Sequence, residues 1–332
     1  MNDGLFNGFG SGTPTVRTPC VWQVFETTTS RVPFPSNAKF LSYFGAGGGG
    51  GGGSGRLDNA SAASGGGGGG SSNLFWERRL PVQMLRMFGV NRFEIVIGAG
   101  GTAGAASTTN AVNGNAGGAG GQTTLRFYDD VVLAGTSNAN NYHRIASPGG
   151  SGGTGGTTTT AGGGAAGSLF ANAFASGGGA TGRTSGSDEG RPQSGQYGFV
   201  GRAFVGGNGG TGKNDVQAFI VSLGRHANAG AASVPSAGYG TNGFPASYWG
   251  QSLFNMLTSL PYFPDYAEFS NYLWGSGGGG TGGETAVSGA AGSGGDGWRG
   301  TGGGGGGGNA TSPSGAGGAG GNGFVVMCWE FE

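Results

Sequence analysis

The chain has 332 residues, of which 86 are glycine and 12 are proline, and its 16 basic residues balance 16 acidic ones. So much glycine and proline is typical of disordered chains, but such chains usually lack aromatic residues and carry excess charge. Here 11% of the residues are aromatic and the net charge is zero, which predicts a folded chain with unusual backbone geometry. The balanced charge, without a basic stripe, also argues against nucleic-acid binding, which requires lysines and arginines to displace phosphate counterions.

The two cysteines, Cys20 and Cys328, lie near opposite ends of the chain, so they fit neither a metal knuckle nor a dense disulfide framework. A disulfide between the two ends and a reduced, buried pair both stay open, and we favour the reduced pair. The start of the chain shows no secretory leader, and no stretch approaches the roughly 20 apolar residues of a membrane-spanning helix. We therefore expect a soluble protein without membrane insertion, which is made in a cytoplasm and acts outside a cell only as part of a particle.

Short apolar stretches predict strands near both ends of the chain. The clearest is 92–97, where Phe93, Ile95 and Ile97 share one face, as the two-residue repeat of a strand requires. Other strands are predicted at 21–26, 38–44, 123–127, 130–133, 216–223 and 324–331, the last with Val325, Met327, Trp329 and Phe331 on one face. We expect the final strand to pair with the early ones in a single β-sheet assembly.

Runs of seven consecutive glycines at 47–53 and 302–308 are too long for turns. They fit an extended left-handed helix with three residues per turn, which has no internal hydrogen bonds and must bond to its neighbours. We predict a mainly β chain with extensive irregular structure and little α-helix. A small antiparallel β-sheet base or sandwich would carry polyglycine II helices and long loops. The alternative is that the glycine runs are flexible linkers.

Four segments of the chain follow one another in a recognisable order. A proline-led strand enters a glycine run at 35–48, and a second strand ends in Gly-Ala-Gly-Gly at 93–101. A Gly-Gly-x-Thr-Thr turn follows at 120–124, and 317–326 closes the pattern. In this order they resemble the glycine-rich domain of bacteriophage tail-fibre and related virion proteins, over 35–135 and 275–332. The chain more loosely resembles the polyglycine-helix adhesins at the fibre tips of T-even phages, which carry variable aromatic loops.

The resemblance implies a virion location, often with contact to a host surface, and a homo-oligomer such as a trimer. We divide the chain accordingly into an N-terminal virion-attachment segment (1–36), a glycine-rich β/polyglycine domain (37–135 and 275–332) and an inserted glycine- and aromatic-rich loop region (136–274). The partners expected are other virion structural proteins, through the N-terminal segment, and a host receptor of protein or glycan. We expect no nucleic-acid partner.

Several glycine patterns imitate the motifs of enzymes. Residues 98–103 resemble a dinucleotide turn, 207–213 a phosphate loop with Asn214 in place of Ser or Thr, and 149–153 a nucleophile elbow. Asp296 resembles part of a calcium-binding repeat, and the only candidate bases are His143 and His226. In so glycine-rich a chain such matches arise by chance. We therefore expect no enzyme, no catalytic residue, no cofactor and no bound metal.

The best candidate for a binding surface is an aromatic cluster in the inserted region. Tyrosine and tryptophan offer large, rigid contact areas with a polar handle. The candidate receptor contacts are Tyr248, Trp249, Tyr262, Phe263, Tyr266, Tyr272 and Trp274. The alternative is that they form the core of the inserted region together with Leu253, Leu257 and Leu260.

The sequence thus favours a tail-fibre or receptor-binding protein. The first alternative is a purely structural virion protein, such as a capsid decoration or fibre spacer. An ice-binding glycine-helix protein is disfavoured because the glycine tracts are irregular. A polysaccharide-degrading enzyme is the least favoured, because no pair of carboxylates stands out.

Overall fold

The computed structural model of the chain describes residues 20–60, 63–72, 74–129, 141–158, 291–297, 299–310 and 313–331. Within these ranges lie eight strands and one short helix: β1 Cys20–Phe25, β2 Thr29–Pro33, β3 Phe40–Ala46, β4 Leu74–Pro81, α1 Val82–Met87, β5 Val90–Val96, β6 Thr123–Asp129, β7 Asn141–Ser147 and β8 Phe324–Glu330.

The strands form two four-stranded antiparallel sheets, with the orders β1-β8-β3-β4 and β2-β5-β6-β7. The mainly β fold with little α-helix is confirmed, as is the pairing of the final strand with early ones, since β8 lies between β1 and β3. β1 and β2 come from the segment 1–36 and β7 comes from 136–274, so all of the predicted chain divisions contribute strands. The strands predicted at 130–133 and 216–223 lie outside the described residues.

The hydrophobic core lies between the two sheets. Phe93 and Ile95 of β5 and Trp329 of β8 are completely buried, so the two-residue repeats seen in the sequence do mark the core face. Phe34 packs among aromatic rings at the centre, with its ring centroid 5.4 Å from that of Trp329. Burying side chains of this size stabilises the fold by about 1.5–3 kcal/mol each, before the entropy of ordering is subtracted.

Helix α1 closes the end of the sheets at which β4 ends and β5 begins, which we call the base. Its Val82 is fully buried, and Gly89, with φ 78°, follows the helix in the left-handed conformation that often ends one. Arg86 donates to the carbonyl oxygen of Pro35 at 2.6 Å, which ties the helix to the loop before β3.

Cys328 is disulfide-bonded, and Cys20, at the start of β1, is the only other cysteine in the chain. The reduced pair that the sequence favoured is therefore not what the structure shows. The register explains the bond: β1 and β8 are neighbouring antiparallel strands in which Cys20 lies opposite Glu330 and Trp22 lies opposite Cys328. The two cysteines are thus diagonal neighbours, although 308 positions separate them in the chain.

Eight glycine-rich segments of the described chain extend from the other end of the sheets. In chain order they are helix I (47–58), helix II (63–72), helix III (98–107), helix IV (113–122), helix V (148–157), helix VI (291–297), helix VII (301–309) and helix VIII (313–323). Hydrogen bonds between them recur at every third residue, which is the three-residue turn of polyglycine II. The predicted polyglycine helices are therefore confirmed.

Helix I lies at the centre of this glycine bundle. Its N–H groups donate in rotation to helices IV, VIII and II, and its carbonyl groups accept in rotation from helices V, III and VII. The first set of donations runs from Gly48 to Gly121, from Gly49 to Gly321 and from Gly50 to Gly70, at 2.8–2.9 Å. The six neighbours also bond to one another in a closed ring, and helix VI packs outside on helices VII and VIII.

Glycine is required in helix I because the neighbouring backbones leave no room for a Cβ. At Gly49, Gly50 and Gly52 a Cβ would lie closer than 3.0 Å to a carbonyl oxygen of helix VII or helix V, a separation that real Cβ atoms essentially never show. Positive φ is not the reason, since among the described glycines only Gly89 and Gly300 adopt it.

Candidate functional site

All seven candidate contact residues, from Tyr248 to Trp274, lie outside the described residues. The structure does describe where the chain leaves for that region and where it returns. Helices I, III and V run away from the sheets because they follow β3, β5 and β7, and helices II, IV and VIII run back because they precede β4, β6 and β8. The hydrogen bonds show that helix VII runs parallel to helix I and helix VI runs parallel to helix VIII. Residue 158 and residue 291 therefore both lie at the end of the bundle farthest from the base, which we call the distal tip.

Hydrogen bonds fix both of these positions. Ser64 at the start of helix II donates to the carbonyl oxygen of Thr157 at 3.3 Å, and Ala291 donates to that of Pro313 at 3.4 Å. Ser64 follows the turn between helices I and II, and Pro313 follows the turn between helices VII and VIII. The two described ends that flank residues 159–290, the stretch that contains the aromatic cluster, thus share the tip with the turns of the bundle.

A buried ion pair holds the tip together. Arg56 donates through Nη2 to Asp58 Oδ2 at 2.6 Å and through Nε to the same oxygen at 3.2 Å, and the two side chains are only 8% and 4% exposed. Arg56 also donates to the side chain of Asn113 on helix IV. The Asp58 N–H donates to the carbonyl oxygen of Asn309 at 2.9 Å. These contacts join helices I, IV and VII where the glycine lattice ends.

The exposed part of the tip is polar and small. Asn59 and Asn110 bond reciprocally, with both hydrogen bonds at 2.9 Å, and so connect the turn after helix I to the turn after helix III. Ala111 has φ 61°, a conformation that is uncommon for a residue other than glycine. Val112, which is 43% exposed, is the one large apolar side chain exposed among the described residues of the tip.

Sequence reasoning missed these tip residues, although a signal was present. The run 47–53 is interrupted by Ser54-Gly55-Arg56-Leu57-Asp58, and a charged pair within a glycine tract marks the place where lattice packing stops. Leu57 is 5% exposed and makes isolated bridges to Val112 and to Asn309.

The structure gives other roles to most of the enzyme-like patterns. The residues of the apparent dinucleotide turn belong to helix III, where Gly101 donates to Gly49 of helix I rather than facing a free phosphate site. Ser151 of the apparent nucleophile elbow is an exposed residue of helix V. Asp296 accepts a hydrogen bond from the Ala319 N–H at 2.8 Å.

The remaining candidates are only partly described. Residues 207–213, Asn214 and His226 lie outside the described ranges, and His143 lies on β7. In the described part of the chain, no three His, Cys, Asp or Glu residues are grouped so that they would hold a metal ion. None of the helical structure within the same ranges is long and apolar enough to cross a membrane.

Comparison with known protein families gives a match that covers most of the chain. No curated protein matches the chain. The model of the glycine-rich domain family matches residues 25–330, a span from the last residue of β1 to the last residue of β8 that includes all eight glycine helices. The chain therefore belongs to the glycine-rich domain family.

Proposed function

We propose that the protein is a bacteriophage virion surface protein that serves host attachment, as a tail-fibre or receptor-binding component. The observation that carries the proposal is that the two ends of the molecule contain different parts of the chain. The segment proposed to attach to the virion (1–36) includes β1 and β2, which belong to the two sheets at the end opposite the tip. The stretch 159–290, which contains the aromatic cluster, departs from and returns to the distal tip.

The bundle suits the display of a binding region at a distance. Ten residues of polyglycine helix span about 30 Å at about 3.1 Å per residue. Helix I is hydrogen-bonded on all sides by its six neighbours, which favours a stiff support over a flexible linker. An insertion at the tip leaves this lattice intact, because it extends only a connection between helices.

The seven aromatic residues of the inserted region, Tyr248, Trp249, Tyr262, Phe263, Tyr266, Tyr272 and Trp274, supply the proposed receptor contacts. Large aromatic side chains dominate the energetics of protein interfaces. In this proposal the receptor is a host surface protein or glycan, the base contacts other virion proteins, and the protein works as a homo-oligomer such as a trimer.

The proposal is tested by measuring binding of the full-length protein to host cells. The variant Trp249→Ala/Tyr262→Ala/Trp274→Ala should lose saturable binding while it keeps the wild-type unfolding transition. The matched control is Met84→Ala/Met87→Ala/Phe88→Ala, which removes three exposed apolar side chains at the base and should bind as the wild type does. Equal binding by the two variants and the wild type would contradict the assignment of the contact to the inserted region.

The second candidate function is a structural virion component that uses the bundle only as a spacer. The same hydrogen-bonded lattice favours it, since stiffness serves a spacer as well as a display support. Absence of any binding to host cells by a well-folded oligomer, present in the particle at a fixed stoichiometry, would select this function.

A further inference from the structure

The outer edge of strand β1 is open. β1 is the last strand of the β1-β8-β3-β4 sheet, and within the described chain its backbone pairs with β8 alone. In an antiparallel pair, alternate residues direct their N–H and C=O groups to the partner strand, and the residues between them direct theirs to the other side. Half of the backbone hydrogen-bonding groups of Cys20–Phe25 therefore point outward from the edge of the sheet.

Of the four edge strands in the described chain, β1 alone carries none of the features that protect an edge from pairing. Natural sheets protect their edges with bulges, prolines and charged side chains. β2 has a bulge, with Arg31 at φ 51°, and ends in Pro33. β4 carries Arg79 at φ 50° near a register shift, and β7 carries Arg144. β1 contains no charge and no proline, and it pairs with β8 over six consecutive positions without a shift.

Contacts with the core hold β1 in place. The ring centroid of Phe25 lies 5.6 Å from that of Phe93, and Trp329 donates through Nε1 to the side-chain oxygen of Gln23 at 3.1 Å. Val21 and Val24 are 48% and 36% exposed, so the strand presents apolar surface together with its outward backbone groups. An exposed, regular and apolar edge of this kind is a template for pairing with another chain.

We propose that β1 accepts an extended strand of another virion protein, which continues the β1-β8-β3-β4 sheet. The inference rests on the proposed function, in which the segment 1–36 that contains β1 attaches the protein to the virion. In strand addition the main-chain hydrogen bonds give affinity, and pockets for alternate side chains give specificity. The partner that fits this edge is an uncharged, extended segment of about six residues, the length of β1.

A second copy of the chain is disfavoured as the partner. Two identical edges related by a twofold axis pair antiparallel. β1 runs from the base toward the bundle, because Cys20 lies opposite Glu330 and Phe25 lies opposite Val325. Antiparallel pairing of two copies would therefore point their distal tips in opposite directions. A strand supplied by a particle protein leaves the tip directed away from the particle, as host attachment requires.

The test measures how much of the full-length protein enters particles when it is supplied during infection by a phage that lacks its own copy. Val21→Lys/Val24→Lys should enter the particles about tenfold less than the wild type or worse, because lysines on an edge strand oppose pairing. Val21→Thr/Val24→Thr keeps residues that favour strands and keeps the backbone edge, so its incorporation should stay within about twofold of the wild type. Loss of the threonine variant to the same extent as the lysine variant would overturn strand addition, since the contact would then depend on apolar side chains.

The matched control is Ala99→Lys/Ala105→Lys, which adds the same charge at exposed positions of helix III and should be incorporated as the wild type is. All four proteins should bind host cells and unfold at the same temperature, which checks that the lysine variant is folded. Full incorporation of Val21→Lys/Val24→Lys, or equal loss of this variant and the control, would overturn the proposal.

Two further outcomes separate this proposal from its alternatives. Sedimentation of the free protein as a dimer that only Val21→Lys/Val24→Lys dissociates would assign the edge to a second copy and overturn the proposal. Absence of the wild type from the particles would overturn the proposed function and the strand addition with it. Failure of the strand addition alone leaves the host contact at the tip intact, because the variants at β1 keep the inserted region.

Discussion

At the scale of single residues, the glycines of helix I are required because the neighbouring helices leave no room for a side chain. The carbonyl oxygens of its neighbours occupy the space in which a Cβ would stand, and they belong to backbone, so no rotamer change can move them aside. A glycine in an ordinary helix or strand costs stability relative to alanine, but here the preference is reversed.

Gly52→Ala should therefore destabilise the protein strongly. Its Cβ would overlap the carbonyl oxygen of Gly304, and overpacking typically costs about 1–3 kcal/mol, or more where the backbone cannot shift. Chemical denaturation of the two proteins checks this. The control is Ser151→Ala, at an exposed position of helix V, which should change the free energy of unfolding by less than about 0.5 kcal/mol. Equal stability of Gly52→Ala and the wild type would contradict the close packing.

A second residue-scale prediction concerns Tyr43, which is 4% exposed in the core. Burial raises the pKa of its hydroxyl group, and the charge of Glu77 raises it further. The raised pKa means that the folded state keeps its proton after the unfolded state has lost its own. Tyr43 should thus contribute full stability below pH about 10 and progressively less above it, by up to about 1.4 kcal/mol per pH unit.

Tyr43→Phe has no proton to lose, so the stability advantage of the wild type over this variant should shrink as pH rises from 8 to 11. Free energies of unfolding at the two pH values measure the difference. A constant advantage across this range would show that Tyr43 does not contribute to the alkaline loss of stability.

At the scale of elements, the tip depends on one buried ion pair. Asp58→Ala leaves the guanidinium group of Arg56 buried without its partner, which typically costs about 3–5 kcal/mol. The double variant Arg56→Met/Asp58→Ala should recover part of this loss, because it removes the uncompensated charge. Thermal and chemical unfolding measure both variants. Thr109→Ala, at an exposed position of the turn after helix III, is the control and should have little effect. A double variant less stable than Asp58→Ala would contradict this account.

Some strands could be predicted from the sequence and others could not. β3, β5 and β8 were predicted because their apolar residues follow the strand period or run directly into glycine. The segment of β4 shows no regular alternation of apolar and polar residues in the sequence. In the structure Arg79 adopts φ 50° near a register shift, which interrupts the two-residue repeat of the strand. That arginine lies 3.1 Å from the buried carboxylate of Glu330 and 4.3 Å from the ring centroid of Phe40, contacts between distant parts of the chain that no local pattern encodes.

The glycine helices were predictable as elements but not as an arrangement. Runs such as 47–53 and 302–308 are identical in sequence, yet one is the centre of the bundle and the other lies in the surrounding ring. The run 47–53 follows β3 directly, whereas the run 302–308 lies between helices VI and VIII and touches no strand in sequence. The tip could not be located from the sequence either, since it is defined by the directions of all the helices together.

At the scale of the whole molecule, the bundle should exchange its amide hydrogens as one cooperative unit. The N–H groups at 48–58 are hydrogen-bonded to neighbouring helices, so they should exchange only when the fold opens globally. The N–H groups of the exposed turn 108–111 should exchange within the dead time of the exchange experiment. Hydrogen exchange followed by NMR distinguishes the two sets. Exchange of 48–58 at the rate of the turn would show that the glycine runs behave as flexible linkers.

The three-residue repeat of the bundle restricts how such a domain can change in length. A residue added to one helix rotates every later donor and acceptor away from its partner, whereas three added residues restore the direction but lengthen that helix alone. Lengthening the bundle along its axis thus requires insertions of three residues in all the helices that are in contact. The connections at the distal tip are not restricted in this way. Variation in length among related chains should therefore accumulate there and leave the lengths of the glycine runs fixed.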